Sequence, residues 1–241
     1  MPTLTLFRGR TAQKAPTEIH DLEATVLRNL FISGHSLILR EGKTPEVTDA
    51  GTLWGLHRAY IVDGSPFWLW SRDALVRSNK TGSNVTIKTL AQVNKGVGFV
   101  EANGSIYILP ANTTNKVQKS DGTAGAGTID HPDADCPPAS LGLWKHNRLF
   151  LNDLLNFDRV WFSDTNEQDI FRNQSSSAVA TDGGWISFGK GDGDRIKGLA
   201  ELGSTIFVFK ERSIFMLIGT SFVGDETFRV IPLFRGIGTK S

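Results

Sequence analysis

The sequence predicts an all-β fold: a β-propeller-like array of antiparallel meander blades that looks incomplete at its C-terminus. Three observations carry this expectation. The chain of 241 residues holds 25 glycines, 15 phenylalanines and 6 tryptophans against 2 methionines, the composition of a turn-rich protein with an aromatic core, because glycine supplies the positive-φ positions of tight turns. The stretch Arg195 to Gly219 reads as three short strands parted by turns at Leu202-Gly203-Ser204 and Lys210-Glu211-Arg212. Its apolar runs, Ile206 to Phe209 and Ile214 to Ile218, are rich in β-branched and aromatic residues and too short for a helical pattern. The same grammar recurs upstream. A chain of this size buries roughly 70% of its unfolded surface, enough for a core without covalent staples, and helices should be few.

In chain order, residues 1–50 form an N-terminal arm or opening hairpin. Leu4 to Phe7 suits a short strand. Val26 to Ile32 and Ser36 to Arg40 flank Ser33-Gly34-His35 as a hairpin would, while Leu22, Val26 and Leu30 also satisfy a helical stripe. Residues 51–241 carry propeller-like repeats, about four blades by their spacing. The first runs through Leu53 to Val62, the turn Asp63-Gly64, Pro66 to Trp70 and Ala74 to Arg77. The second has Gly96 to Glu101, the turn Asn103-Gly104, Ser105 to Leu109 and a polar strand around Val117. Asp-Gly and Asn-Gly are strong hairpin signals, since a type I′ turn needs positive φ at both central positions. The third repeat has Leu141 to Lys145, the turn His146-Asn147, Arg148 to Leu151 and Arg159 to Ser163; the fourth is Arg195 to Gly219.

The apolar second strands centre on Trp68, Tyr107, Phe150 and Phe207, at offsets of 39, 43 and 57 residues. The first two offsets match a four-stranded blade, and the polar loop Thr165 to Ser177 lengthens the third. Radial repetition protects strand edges; a β-sandwich satisfies the same turn spacing. After Phe228 to Phe234, Arg235 to Ser241 read as the opening of a fifth repeat. The last strand then closes a ring against the N-terminal strand, or the chain is a fragment, or a partner completes the sheet.

Charge narrows the function classes. With 26 basic and 25 acidic residues the net charge is +1, which lacks the electrostatic footprint of a dedicated nucleic-acid or membrane-surface binder. The lone Cys136 excludes a disulfide within one chain and fits a reducing compartment. No apolar stretch approaches the roughly 20 residues of a membrane helix, and Met1 to Phe7 is followed by Arg8 and Arg10 rather than an apolar signal core. The expectation is a soluble, uncleaved chain without stable membrane association.

Candidate chemical sites are few. Gly189-Lys-Gly-Asp-Gly-Asp194 is glycine-rich but lacks the Gly-Lys-Ser/Thr ending of a phosphate-binding loop and the terminal glutamate of a calcium loop, so it reads as a turn leading into Arg195. His131-Pro-Asp-Ala-Asp-Cys136 gathers several ligand types without the paired Cys or His of structural zinc, and its prolines make it a solvated linker. No Gly-x-Ser-x-Gly elbow is present, and His20, His35, His57, His131 and His146 sit in unrelated contexts. Asp153 with Asp158, or Asp164 with Glu167, could mimic a glycosidase couple, and Trp144, Trp161 and Trp185 could stack on sugars. Two carboxylates on loops are ordinarily solvated, and tryptophans beside blade strands are ordinarily core. The expected chain has no catalytic residue, cofactor or metal, with a glycan-binding or glycan-cleaving propeller as the alternative.

In the third and fourth repeats, Arg148-Leu-Phe-Leu151, Arg159-Val-Trp-Phe-Ser-Asp164, Trp185-Ile-Ser-Phe188, Asp194-Arg-Ile-Lys-Gly-Leu199, Ile206 to Lys210, Ser213 to Gly219 and Gly236 to Ser241 resemble the propeller-type structural proteins of tailed bacteriophages: tail-tube, nozzle or head-to-tail connector components. Asn29, Gly34 and Arg40-Glu-Gly42 resemble the opening of such chains. The resemblance implies a non-enzymatic virion protein of tail or neck, assembled in the host cytoplasm as a homo-oligomeric ring around the DNA channel. It implies contacts with other tail or connector proteins and transient, non-specific passage of genomic DNA. It also implies further blades after Ser241. On this reading Lys190, Arg195 and Lys197 lie on channel or interface loops, balanced by Asp192 and Asp194.

Overall fold

The computed structural model describes residues 53–60, 66–91, 96–123 and 128–235, together with five short strands among the first 39 residues. These early strands are β1 (Leu4–Thr5), β2 (Gly9–Arg10), β3 (Glu23–Ala24), β4 (Leu30–Ser33) and β5 (Ser36–Leu39). β4 and β5 pair antiparallel from Ser33↔Ser36 to Leu30↔Leu39, which is the hairpin alternative for this stretch, and β1 adds to β5. Residues Met1–Thr48 and Asp49–Ser241 form separate compact units.

The second unit is a propeller-like array of four antiparallel four-stranded sheets. Blade one is β6 (Leu53–Ala59), β7 (Phe67–Arg72), β8 (Leu75–Ser78) and β9 (Val85–Thr89). Blade two is β10 (Gly98–Ala102), β11 (Ser105–Leu109), β12 (Gln118–Ser120) and β13 (Thr128–Asp130). Blade three is β14 (Gly142–Lys145), β15 (Arg148–Asn152), β16 (Arg159–Phe162) and β17 (Gly184–Ser187). Blade four is β18 (Ile196–Leu202), β19 (Thr205–Lys210), β20 (Ser213–Ile218) and β21 (Arg229–Arg235). No helix occurs among the described residues. Trp68, Tyr107, Phe150 and Phe207 each lie on the second strand of their blade. The fourth sheet has its own fourth strand, β21, supplied by this chain. The Asn103-Gly104 turn has φ of 43° and 76°, and His146-Asn147 reaches 51° and 55° without a glycine, the two positive values a type I′ hairpin needs. Asp63-Gly64 and Gly236 to Ser241 lie outside the described residues.

Alternation along the second strands explains the stacking, because successive side chains of a strand point to opposite faces. In blade two, Ile106 and Ile108 enter a core shared with Phe67, Leu69 and Val76 of blade one. Tyr107 and Leu109 point the other way, into a core with Leu149, Leu151 and Trp161 of blade three. Phe150, Val160 and Phe162 of blade three then meet Ile206, Val208, Phe215 and Leu217 of blade four. Each fully buried Leu, Ile or Phe contributes about 1.5–3 kcal/mol, so every blade is held through the faces it shares with its neighbours.

The first strands β6, β10, β14 and β18 lie side by side in that order. His57 of β6 meets Glu101 of β10 at 2.8 Å, and Lys145 of β14 meets Glu201 of β18 at 2.9 Å. Two glycines permit the close approach. A Cβ on Gly98 would sit 2.6 Å from the Ser140 carbonyl just ahead of β14, and one on Gly55 would strike the Val97 carbonyl just ahead of β10.

Candidate functional site

The loop that carries the sequence-derived site residues is the crossover from β17 to β18. Asp192 N–H donates to the Gly189 carbonyl (3.0 Å) and Asp194 N–H to Asp192 Oδ1 (2.9 Å), so the loop folds on itself. Gly189, Gly191 and Gly193 all take positive φ, at 65°, 78° and 70°, values that explain why glycine alternates with polar residues here. Both acids face the base of the β19–β20 hairpin. Lys210, the last residue of β19, is fully buried; its Nζ donates to both Asp192 carboxylate oxygens at 2.7 Å and to the Phe188 carbonyl at 2.7 Å. The buried Asp194 accepts from the Arg212 N–H at 3.0 Å and from Ser213 Oγ at 2.8 Å.

Two of the basic residues of this segment engage other partners. Arg195 stacks over the Phe157 ring, 3.9 Å from its centroid, and Lys197 pairs with Glu211 at 3.1 Å. Lys190 is exposed at the rim of a cleft of about 450 Å³ lined by Gly189, Lys190, Asp192, Arg212, Ser213 and Phe215. Asp192 and Asp194 thus pin the crossover to blade four; Lys190 shares the cleft with both acids, and Lys197 lies within β18 rather than on a loop, which corrects its placement from the sequence.

A second polar centre was not read from the sequence. Arg148, at the start of β15, is 1% exposed, and its guanidinium donates only to backbone carbonyls. Nε reaches Thr220 (3.1 Å), Nη1 reaches Ser163 (2.7 Å), Thr181 (3.2 Å) and Asp182 (2.9 Å), and Nη2 reaches Ala180 (2.6 Å). Burial lowers its pKa to about 10, opposed by the nearby Asp164 and Asp182 charges, so it stays charged at neutral pH. Arg148 therefore fastens one limb of the polar insertion between β16 and β17 onto blade three. Asp164, 8% exposed, closes the base of that insertion by accepting from the Gly183 N–H at 2.5 Å and from Arg172 Nη2 at 2.7 Å.

The insertion's other limb crosses to blade two. Asp169 accepts from Tyr107 Oη at 2.6 Å and from Lys119 Nζ, and Asn103 donates to Gln168 at 3.0 Å. Phe171 N–H donates to Asp133 Oδ2 at 2.6 Å, and its ring lies edge-on to His131 at 5.4 Å. These contacts correct the reading of the His131 to Cys136 segment as a solvated linker in part: the His131 side chain is fully buried and Asp133 and Cys136 are partly buried, whereas Pro132, Ala134 and Asp135 are exposed. Its Nδ1 accepts from the Asp133 N–H at 3.2 Å, and its Nε2 lies 3.8 Å from Asp169. Burial depresses the His131 pKa, outweighing the pull of Asp169, and raises those of Tyr107 and Cys136.

A sign follows for the pH dependence of stability. The folded state holds His131 neutral, so its contribution is fully present above the ordinary histidine pKa near 6.5 and is lost as pH falls from there toward the depressed value. Urea midpoints measured from pH 7.5 to about 5 should decline, and His131→Phe should flatten that decline. An unchanged slope in the variant would place the acid sensitivity elsewhere.

Of the carboxylates considered for glycosidase chemistry, one from each couple, Asp153 and Asp164, is engaged, while Glu167 is exposed. Asp153, 4% exposed, accepts from Leu155 N–H, Asn156 Nδ2 and Trp161 Nε1 at 2.8, 2.8 and 3.0 Å. Both Asp153 and Asp164 are buried, contrary to the solvated state expected of loop acids, because each satisfies several donors at once. Trp144, Trp161 and Trp185 lie on the face of blade three turned toward blade two and pack in or against that core. Among the described residues, no group of three His, Cys, Asp or Glu side chains is placed to hold a metal ion, and no helix is long and apolar enough to cross a membrane.

One missed signal was present in the sequence. Ser78-Asn79, Ser120-Asp121 and Ser163-Asp164 end the third strands of blades one to three at spacings of 42 and 43 residues. The three serines are buried. Ser78 and Ser120 accept from the N–H two residues on, whereas Ser163 accepts from Leu149 N–H.

No protein-family profile matches the chain, and no curated protein matches it. Among solved structures it is similar to the computationally designed Ika4 protein, at 8% identity over 78% of this chain and 94% of that one, with a TM-score of 0.42. The architecture described above rests on the strand pairing and the three inter-blade cores.

Proposed function

We propose that the chain is a non-enzymatic structural protein of a bacteriophage tail or head-to-tail connector, forming part of an oligomeric ring around the DNA channel. The observation that carries this reading is the use made of buried charge. Arg148 and Lys210, both embedded in the blades, spend their donors on backbone carbonyls and one carboxylate, and they lock an insertion and a crossover in place. Asp153, Asp164 and Asp194 do the same as acceptors. Such hydrogen-bonded networks rigidify a fold, which suits a stiff wall better than a reacting cleft. The near-neutral net charge of +1 suits a conduit that must not retain the polyanion it passes. The sequence resemblance in blades three and four supplies the virion context.

The test is light scattering combined with electron microscopy of the full chain. Closed rings with a central channel are the expected result. A chain that never exceeds a dimer, and that binds to a glycan array, would replace this reading with the glycan-binding one. Within a virion, Lys190→Glu is the better probe of channel charge than a change at Asp192, because Lys190 is exposed and Asp192 is needed by Lys210.

A further inference from the structure

His131 stands where blade two meets the insertion from blade three, and its hydrogen bonding leaves no place for a second proton. Its Nδ1 accepts from the Asp133 N–H at 3.2 Å, so in the neutral ring the proton sits on Nε2. Nε2 is buried without a hydrogen-bond partner, 3.8 Å from Asp169. A second proton would enter at Nδ1, setting two donors face to face in a pocket where the side chain has no exposed surface.

The same turn holds the insertion. Asp133 Oδ2 accepts from the Phe171 N–H at 2.6 Å. The imidazole packs against the rings of Phe171, at 5.4 Å between centroids, and Tyr107, at 5.8 Å. The ring thus supports the Phe171 side chain, while the turn it organises carries the acceptor for the Phe171 backbone.

The charges around the ring do not rescue its protonated form. Asp169, the carboxylate facing Nε2, already accepts from Lys119 Nζ and Tyr107 Oη. Asp133 spends its carboxylate on the Phe171 and Asp135 N–H groups. Tyr107 and Cys136 are held protonated by burial, and Lys116 and Arg172, beside Cys136 and Asp133, add positive charge. Burial outweighs the pull of Asp169, the Gln168 backbone and Asp133 toward the imidazolium.

We infer that His131 is an acid-operated latch: a proton taken up from solvent turns the imidazole out from against Phe171, breaks the Asp133–Phe171 hydrogen bond and frees the insertion from blade two while the blades stay folded. Blades two and three are then tied at neutral pH and separable in mild acid. A ring released into water regains the ordinary histidine value near 6.5, and the closed ring lies below it. Each unit of pH lost between those two values therefore raises the ratio of open to closed insertion about tenfold.

Nuclear magnetic resonance of the full chain, from pH about 7.5 to about 4.5, tests this. Imidazole nitrogen shifts should show His131 as the Nε2–H tautomer at the upper end and its protonation further down. Protection of the Phe171 amide, corrected for the intrinsic pH dependence of exchange, should fall by up to about tenfold per unit below 6.5. At the pH where His131 is protonated and the Phe171 amide is open, Leu149 and Val208, in core strands of blades three and four, should still be protected. In His131→Phe, which keeps a buried ring without a titrating group, the Phe171 amide should stay closed over the same range. A ring that stays neutral throughout overturns the inference, as does one that takes up its proton with the Phe171 amide still closed. So does loss of protection at Leu149 and Val208 together with Phe171, which is global unfolding, or equal opening in His131→Phe. The wild-type measurements decide even if that variant fails to fold, and none of them rests on the virion reading.

Discussion

Arg148→Met is expected to destabilise the protein by about 3–5 kcal/mol, the range for breaking a buried charged network. The methionine would fill much of the space but donate nothing, leaving the carbonyls of Ser163, Ala180, Thr181, Asp182 and Thr220 without the donor they share. Each buried acceptor left unpaired costs about 1–3 kcal/mol, and the sum is less than additive because some carbonyls will find water. Urea unfolding gives the free energy, and limited proteolysis gives its location: new cleavage should fall between residues 165 and 183, the limb that Arg148 fastens. Arg148→Lys should recover only part of the loss, since one ammonium cannot reach acceptors that five guanidinium donors span. A variant as stable as wild type would show that the insertion is held from the blade-two side alone.

Lys210→Met should cost about 2 kcal/mol, for a related reason with a different signature. The Lys210 side chain is wholly buried, whereas the Asp192 side chain is 36% exposed, so the loss falls on the Phe188 carbonyl and on the tie between crossover and blade, while water takes over much of the carboxylate. Asp192→Asn in the same background should change stability little further, and this double-mutant cycle isolates the pair from the packing of the stem. The structural readout is the crossover itself. Hydrogen exchange at Arg212 and Asp192, whose N–H groups bond to Asp194 and Gly189, should speed up in Lys210→Met. Coincident thermal midpoints for Lys210→Met and wild type would overturn the assignment of Lys210 as the anchor of this loop.

These two residues mark the boundary of what was legible in the sequence. Strands announce themselves locally, through runs such as Ile206 to Phe209, and hairpins do so through Asn103-Gly104, where the backbone demands residues that accept positive φ. Even the alternation that sorts Ile106 and Ile108 from Tyr107 and Leu109 is readable once the strand is placed. Arg148 and Lys210, by contrast, look in the sequence like ordinary charged ends of strands. What makes them anchors is a set of acceptors as far as 72 residues away for Arg148 and 22 for Lys210, and no local pattern encodes that separation. The same holds for the insertion after β16. Its Ser- and Gln-rich composition reads as solvated loop, and only the tertiary positions of Tyr107, Lys119 and Asp133 turn Asp169 and Phe171 inward. The recurrent Ser-Asn/Asp pairs at the third-strand ends were legible, and would have set the blade register without reference to aromatic residues.

The insertion also decides how the array comes apart. Blades that touch only their neighbours unfold as a nearest-neighbour chain, each opening at the cost of its own interfaces. Because this limb leaves blade three, bonds to Tyr107 and Asn103 of blade two and returns beneath Arg148, blades two and three cannot separate without breaking it. They form one cooperative opening unit, the slowest to exchange its amides, whereas β21, an edge strand of its sheet, frays first.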